Sequence, residues 1–208
     1  MLIVPELAAR DLVVIGAGGH AKVVIDCAER VGHKICGVID DRVGATVFEH
    51  PHLGSLDNLV LHSDWQFVIA IGSNVVRARI ANSLEDRVAW ASLVDPTASV
   101  SRHASIQVGS VVFAGAIVQA ETKIGRHVIL NTGCRVDHDV EIANHCHVAP
   151  GAILTGGVVL EEGVFVGAGA VVLPGVRIGA WSTLGAGSVA TKDLSSEQVF
   201  VGSPAKLK

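Results

Sequence analysis

The chain has no tyrosine, one methionine, three tryptophans and five phenylalanines, so aromatic residues are only 4% of its 208 positions. Charge is scarce too, at 17% of residues with a net charge of −4. The 16 Lys and Arg form no basic block, which argues against a nucleic-acid partner. Hydrophobic residues are 50% of the chain and mean hydropathy is +0.49, a balance that excludes intrinsic disorder. With 23 glycines, a coiled coil is excluded as well. No apolar run is long enough to span a bilayer. The longest candidate, Gly163 to Val176, is broken by Gly167, Gly169, Pro174 and Gly175 and stops at Arg177, whereas a spanning helix needs roughly 20 apolar residues. The opening MLIVPELAARD has acids where an export signal would carry its basic region, so a cytoplasmic protein is expected. Cys27, Cys36, Cys134 and Cys146 have no CxxC spacing and read as reduced, mostly buried thiols.

What the chain does have is a repeat. From Val94 to Leu184 every sixth residue is Val, Ile or Leu, sixteen in succession. The residue four positions after each, from Ala98 to Ser188, is small or short and β-branched. Such a period fits neither a helix of about 3.6 residues per turn nor a hairpin. It fits a triangular parallel β-solenoid, in which three hexads make one coil, the aliphatic points inward and the small residue turns in beside a corner. Sixteen hexads predict about five coils at the strand spacing of about 4.8 Å. This pattern resembles the hexapeptide-repeat acyltransferases, and the resemblance implies a left-handed coil.

The front half reads differently. DLVVIG (11–16), KICGVIDD (34–41) and QFVIAIG (66–72) are strands; GAGGHAKVVIDCAE and SNVVRARIANSLE are a Gly-rich turn with its helix and a second helix. That order gives half of a Rossmann-like sheet. The expected division is therefore an α/β half-Rossmann domain over 1–93 and a parallel β-helix over 94–208, joined through 90–96. Gly16-x-Gly18-x-x-Ala21 follows a strand and opens a helix, and Asp40 lies 22 residues beyond Gly18, as in a dinucleotide fingerprint. A full dinucleotide site needs two such halves. Two roles are open to the turn: close packing of helix on strand, or a nucleotide phosphate at the helix N-terminus. His20 and Lys22 add donors there and favour the second.

Residues 131–157, NTGCRVDHDVEIANHCHVAPGAILTGG, concentrate ionisable side chains. His138, Asp139, His145, Cys146 and His147 are all metal-ligand types, but their spacing matches no zinc motif, and no metal is expected. Plain surface or packing histidines are a second possibility, the one assigned to His145. General base catalysis is the third: His138 lies between Asp137 and Asp139, and an imidazole oriented by a carboxylate is a competent base near neutral pH. Eighteen residues after His138 comes Gly156, which should stack over it one coil on, leaving room for a ligand and a backbone N–H for an oxyanion. His147 is nine residues from His138, half a coil away, so a site that uses both needs a neighbouring subunit.

GAGGHAKVVIDCAE, VIDD, AIGSN, NTGCRVDHDVEIANHCHVAPGA and the closing VFVGSPAK together resemble one family over nearly the whole chain. It is the bacterial nucleotide-amino-sugar N-acetyltransferases of the bacillosamine type, with sialic acid O-acetyltransferases sharing the architecture. The resemblance implies a homotrimer that uses acetyl-CoA, bound between adjacent solenoids, to acetylate the 4-amino group of a UDP- or similarly linked 4-amino-4,6-dideoxy sugar destined for a surface glycan. It implies that Gly18, Gly19, His20 and Lys22 meet the nucleotide's pyrophosphate and ribose, with Asp40, Asp41, Gly72 and Asn74 completing that pocket. His138 would be the general base, with Asp139 (or Asp137) as its acidic neighbour, and Asn131 would lie near the sugar. His147 and Gly156 would meet the acetyl thioester, Ala168 and Ala186 the pantetheine arm, and GSPAK would fold over the coenzyme. The alternatives are O-acetylation of a sialic acid and a non-catalytic nucleotide-binding solenoid.

Overall fold

The structure, a computed structural model, describes residues 11–208 apart from the Asp86 side chain. The first unit runs β1 (Asp11–Ile15), α1 (Gly19–Arg30), β2 (Ile35–Ile39), β3 (Trp65–Ile69), α2 (Asn74–Leu84) and β4 (Ala89–Trp90). Its four strands form one parallel sheet in the order β2-β1-β3-β4. The βαβ plan is the one expected, in the 2-1-3 strand order of flavodoxin-like sheets. The chain leaves β1 on one side and returns on the other, so a crevice opens beyond the carboxyl ends of β1 and β3. Gly16 sits at that turn with φ +105°, and a Cβ there would lie 2.9 Å from Ile71 Cγ1 and 3.1 Å from the Ala70 carbonyl oxygen. Only glycine fits. Ala21, fully buried, lets α1 settle close on the sheet.

From Leu93 onward the chain is a parallel β-helix. Two-residue strands pair in register with those one coil on, as in Ile129↔His147↔Phe165. The inward aliphatics and the small residues near the corners form one continuous core from Val112 to Leu184. Each buried aliphatic stabilises the prism by about 1.5–3 kcal/mol. At the open first coil Val94, Val100 and Ile106 are only partly covered. The prism has about six turns, more than the sixteen hexads supply. Winding continues past the last aliphatic with Ala190 in its place, then Leu194 beside Ile178 and Phe200 beside Leu184. The tail from Val199 turns back antiparallel at Lys206–Leu207 and buries Ala205 in the end of the core. Within GSPAK, Ala205 is buried and the other four residues are exposed.

The three outer faces differ in chemistry. On the docked face Leu93, Val111 and Ile129 share a core with Val14, Val24 and Val68 of the first unit. The next face, termed apolar, presents Ile117, Ile153, Val171 and Val189, all partly exposed, with exposed Arg135 between the first two and Ser99 at its start. The last face is charged, with ion pairs Lys123–Glu141 (2.9 Å) and Arg177–Glu161 (3.3 Å). The corner between the docked and apolar faces is termed the first, that between the apolar and charged faces the second, and the remaining one the third. β4 closes the α/β sheet and Leu93–Val94 opens the β-helix. No described helix is long and apolar enough to cross a membrane.

Candidate active site

The crevice of the α/β unit holds about 430 Å³, lined in part by Gly16, Asp40, Asp41, Asp57, Ile71 and Arg79. At its rim a Cβ on Gly18 or Gly19 would meet nothing within 4 Å. Packing does not demand glycine there; the bare turn leaves the α1 N-terminus approachable, and no side chain caps it, as suits an anion. Asp40 is partly committed. Its Oδ2 accepts the Ala17 N–H (2.8 Å), and the Arg42 Nε (2.8 Å) and backbone N–H (3.0 Å) both donate to its Oδ1. The Arg42 guanidinium first, and then the Ala17 and Arg42 amides, pull its pKa down to about 2 against the cost of partial burial. Asp40 thus anchors the Gly-rich turn, while Asp41 and Lys22 are exposed.

His20 faces the other way. Its ring meets Phe113 edge-on at 5.6 Å and lies 6.1 Å from His147. Its Nε2 is buried without a partner, and burial, with the Arg77 charge second, pushes its pKa down to about 4. This places the side chain at the junction with the β-helix, whereas the resemblance put it at the pyrophosphate.

The junction buries His147, which is 8% exposed. Its Nδ1 lies 3.3 Å from the Gly72 carbonyl oxygen and its Nε2 3.1 Å from Asn131 Nδ2, so the ring donates from Nδ1 and accepts at Nε2. Burial, then the Arg77 charge, lower its pKa to about 4. Asn74 was expected in the nucleotide pocket. It is buried, its Nδ2 donates to the Gly163 and Val164 carbonyls (3.0 and 3.1 Å), and its Oδ1 accepts from Arg77 (2.9 Å). Every polar atom of that amide is used between α2 and the prism. Arg77 itself, 1% exposed, was missed in the sequence. Its signal was there: α2 buries Asn74, Arg77, Ala78, Ala81 and Leu84, a helical stripe in which an arginine is out of place.

At the second corner the His138 side chain is 62% exposed and the Asp139 side chain 65%. His138 Nδ1 is 2.8 Å from Asp139 Oδ2. Asp137 Oδ1 accepts the His138 backbone N–H, also at 2.8 Å. Asp139 is therefore the acid that holds the ring, which leaves Nε2 free as the basic nitrogen. The hydrogen bond to Asp139 and, second, the charge of Asp137 raise the His138 pKa above the ordinary histidine value. Asp139 adopts φ +58°, where the next two turns of the same corner use Gly157 (φ +70°) and Gly175 (φ +72°). The preceding turn of that corner has Glu121 at φ +59°, so the left-handed bend belongs to the repeat. The stacking expected for Gly156 is present: a Cβ there would lie 2.7 Å from His138 Cε1 and 2.8 Å from Nε2.

Ala168 and Ala186 are exposed one turn apart at the first corner, with the Ala168 carbonyl accepting the Gly187 N–H (2.8 Å). A Cβ on neighbouring Gly167 would come within 2.5 Å of Ala186 N, so successive turns pack tightly and leave a shallow edge bordered by methyl groups. Asn131 is on the same corner. One chain thus holds Asn131, Ala168 and Ala186 on the corner at one edge of the apolar face, with His20 against Phe113 beside it, and His138, Asp139 and Gly156 on the corner at the other edge.

Residues 11–84 match the PglD N-terminal domain family, and 121–156 and 157–192 each match the bacterial transferase hexapeptide (six repeats) family. The acetyltransferase domain of PglB from Neisseria gonorrhoeae is 36% identical, with 96% of this chain and 100% of that one covered at a TM-score of 0.91; it has also been solved with acetyl coenzyme A. A perosamine N-acetyltransferase variant from Caulobacter crescentus, in complex with CoA and GDP-perosamine, is 34% identical over 97% of this chain and 98% of that one, with a TM-score of 0.89. A UDP-N-acetylbacillosamine N-acetyltransferase from Bacillus subtilis is 36% identical over 112 residues, 50% of this chain, which spans about half (52%) of that relative's length. Sharing both units, in this order and over almost its full length, with solved members, the chain belongs to the nucleotide-amino-sugar N-acetyltransferases built on hexapeptide repeats.

Proposed function

We propose that the protein transfers the acetyl group of acetyl-CoA to the 4-amino group of a nucleoside-diphosphate-linked 4-amino-4,6-dideoxy sugar, UDP-linked in the first instance, for surface-glycan assembly. The observation that carries the reading is the His138–Asp139 pair: an exposed imidazole, oriented at Nδ1 and free at Nε2. Its Nε2 takes a proton from the amine as the nitrogen attacks the thioester carbonyl. The C–N bond forms, the C–S bond breaks, and the imidazolium returns the proton to the departing thiolate. The Gly156 backbone beside the ring is suited to receive the oxyanion. Relatives that bind CoA and GDP-perosamine support the substrate classes.

The working unit in this reading is a ring of three chains. A closed ring joins two different patches of each subunit, and the two halves of the site flank the apolar face as such a ring requires. His138 of one chain then meets the first corner and crevice of the next. Mixing chains that carry His138→Ala with chains that carry Ala168→Trp tests this. Each variant alone should be nearly inactive, and the mixture should regain turnover; a site contained in one chain would leave the mixture inactive. The reaction is tested by thiol release from acetyl-CoA with UDP-, dTDP- and GDP-linked 4-amino-6-deoxy sugars and free sialic acid. Rapid release with one nucleotide amino sugar is expected and identifies the base. Release with sialic acid alone would overturn the proposal.

A further inference from the structure

Arg77 joins the loop between β3 and α2 to two successive turns of the prism. Its Nε donates to the His127 carbonyl (2.8 Å), and its Nη2 to those of His145 (2.6 Å) and Cys146 (3.1 Å), on successive turns of the prism. Its Nη1 donates to the carbonyls of Ile71 (3.1 Å) and Gly72 (3.4 Å), in the loop between β3 and α2. Nη2 also reaches Asn74 Oδ1 (2.9 Å). All six acceptors are carbonyl oxygens; no carboxylate is among them. Ile71 lines the crevice, and the Gly72 carbonyl is also the acceptor for His147, whose far nitrogen meets Asn131. A continuous set of bonds therefore runs from the crevice wall through Arg77, Gly72 and His147 to the first corner.

We infer that Arg77 is a positioning residue for the nucleotide-linked substrate: it fixes the 71–74 loop, and hence one wall of the nucleotide crevice, against the prism turn that carries His147 and Asn131. The assignment rests on the reading that this crevice binds the nucleotide. The planar, five-donor guanidinium is what the arrangement requires, because a lysine ammonium has three donors at one point and cannot serve carbonyls on three segments at once.

The test is Arg77→Lys, with Arg77→Met beside it, read by steady-state kinetics on the full protein and by amide hydrogen exchange without substrate. Arg77→Lys should raise KM for the nucleotide sugar about tenfold, the equivalent of about 1.4 kcal/mol, and leave KM for acetyl-CoA within about twofold. Exchange should accelerate at 71–75 and 145–148 and not at β1 or β2. Arg77→Met should do the same more strongly; if it does not fold, Arg77→Lys decides alone. Equal rises in both KM values, an unchanged KM for the sugar, or acceleration spread across the whole α/β sheet would overturn the inference and leave Arg77 a general stabiliser. If the wild type turns over no nucleotide sugar, the proposed reaction fails; the exchange pattern still decides whether Arg77 ties loop to prism.

Discussion

Two corners of the same prism carry histidines and treat them in opposite ways. At the second corner His138 is exposed between two carboxylates, and its pKa is raised. At the third corner His127 and His145 stack at 5.5 Å with ring planes 7° apart, both buried with unpartnered Nδ1 atoms. Burial drives them down, with the His145, Arg126 and Arg77 charges adding to it for His127 and those of Arg77 and Arg126 for His145, to about 3 and about 4. All three come from bends of the six-residue repeat, but His127 and His145 (φ +54° and +61°) hold the place taken by Asp139 (φ +58°), and His138 sits one position earlier. Their surroundings differ as well: α2 with Arg77 covers the third corner, and solvent and acids surround the second. A histidine in this repeat is exposed or buried according to its place in the bend and to its neighbours.

Substitutions can break that contrast. His138→Ala should lower turnover by about 10²–10⁴-fold, the usual worth of a general base, with little change in Tm because the ring is exposed. His145→Ala should do the reverse, lowering Tm with a small effect on kcat; thermal melts and thiol release on the same preparations separate the two. Gly156→Ala comes next. Its methyl would enter the space of the His138 ring and displace an exposed side chain, so activity should fall about tenfold while Tm holds. The smallest effect is on acid stability. His20, His127, His145 and His147 are neutral in the fold, with pKa values of about 4, 3, 4 and 4, whereas in the unfolded chain they protonate near pH 6.5. The unfolded state binds more protons between those limits, so this part of the stability is complete above about pH 6.5 and is lost progressively toward pH 4. Differential scanning calorimetry should show Tm falling by about 5–10 °C from pH 7 to 5.5; a flat Tm would mean the rings are not buried neutral.

Much of this was legible in the sequence because the repeat is strict. One aliphatic every six residues specifies inward positions, and the addition of a full coil to His138 named Gly156 as its neighbour. The Gly-rich turn and Asp40 declared the crevice. What was not legible were contacts between units. The resemblance assigned Asn74 to the nucleotide pocket, and in the fold the prism lies within reach and takes its amide. His20 turned toward Phe113, nearly a hundred residues away in sequence, for the same reason. Arg42, one residue past the acids, takes up much of Asp40's bonding capacity, a local pairing that the fingerprint spacing conceals. The end of the prism was underestimated because Ala190 breaks the aliphatic pattern without breaking the winding.

Whether His138 is the group that takes the proton is read most directly from kcat/KM against pH for the wild type beside Asp139→Asn. The amine's own titration is common to both and cancels in the comparison. His138 must be neutral to act, and its hydrogen bond to Asp139 raises its pKa, so the wild-type acid limb should lie above about pH 6.5. In Asp139→Asn that limb should move to lower pH, with a lower plateau as the ring loses its orienting acid. An acid limb that stays in place, or a plateau that does not fall, would contradict His138 paired with Asp139 as the base.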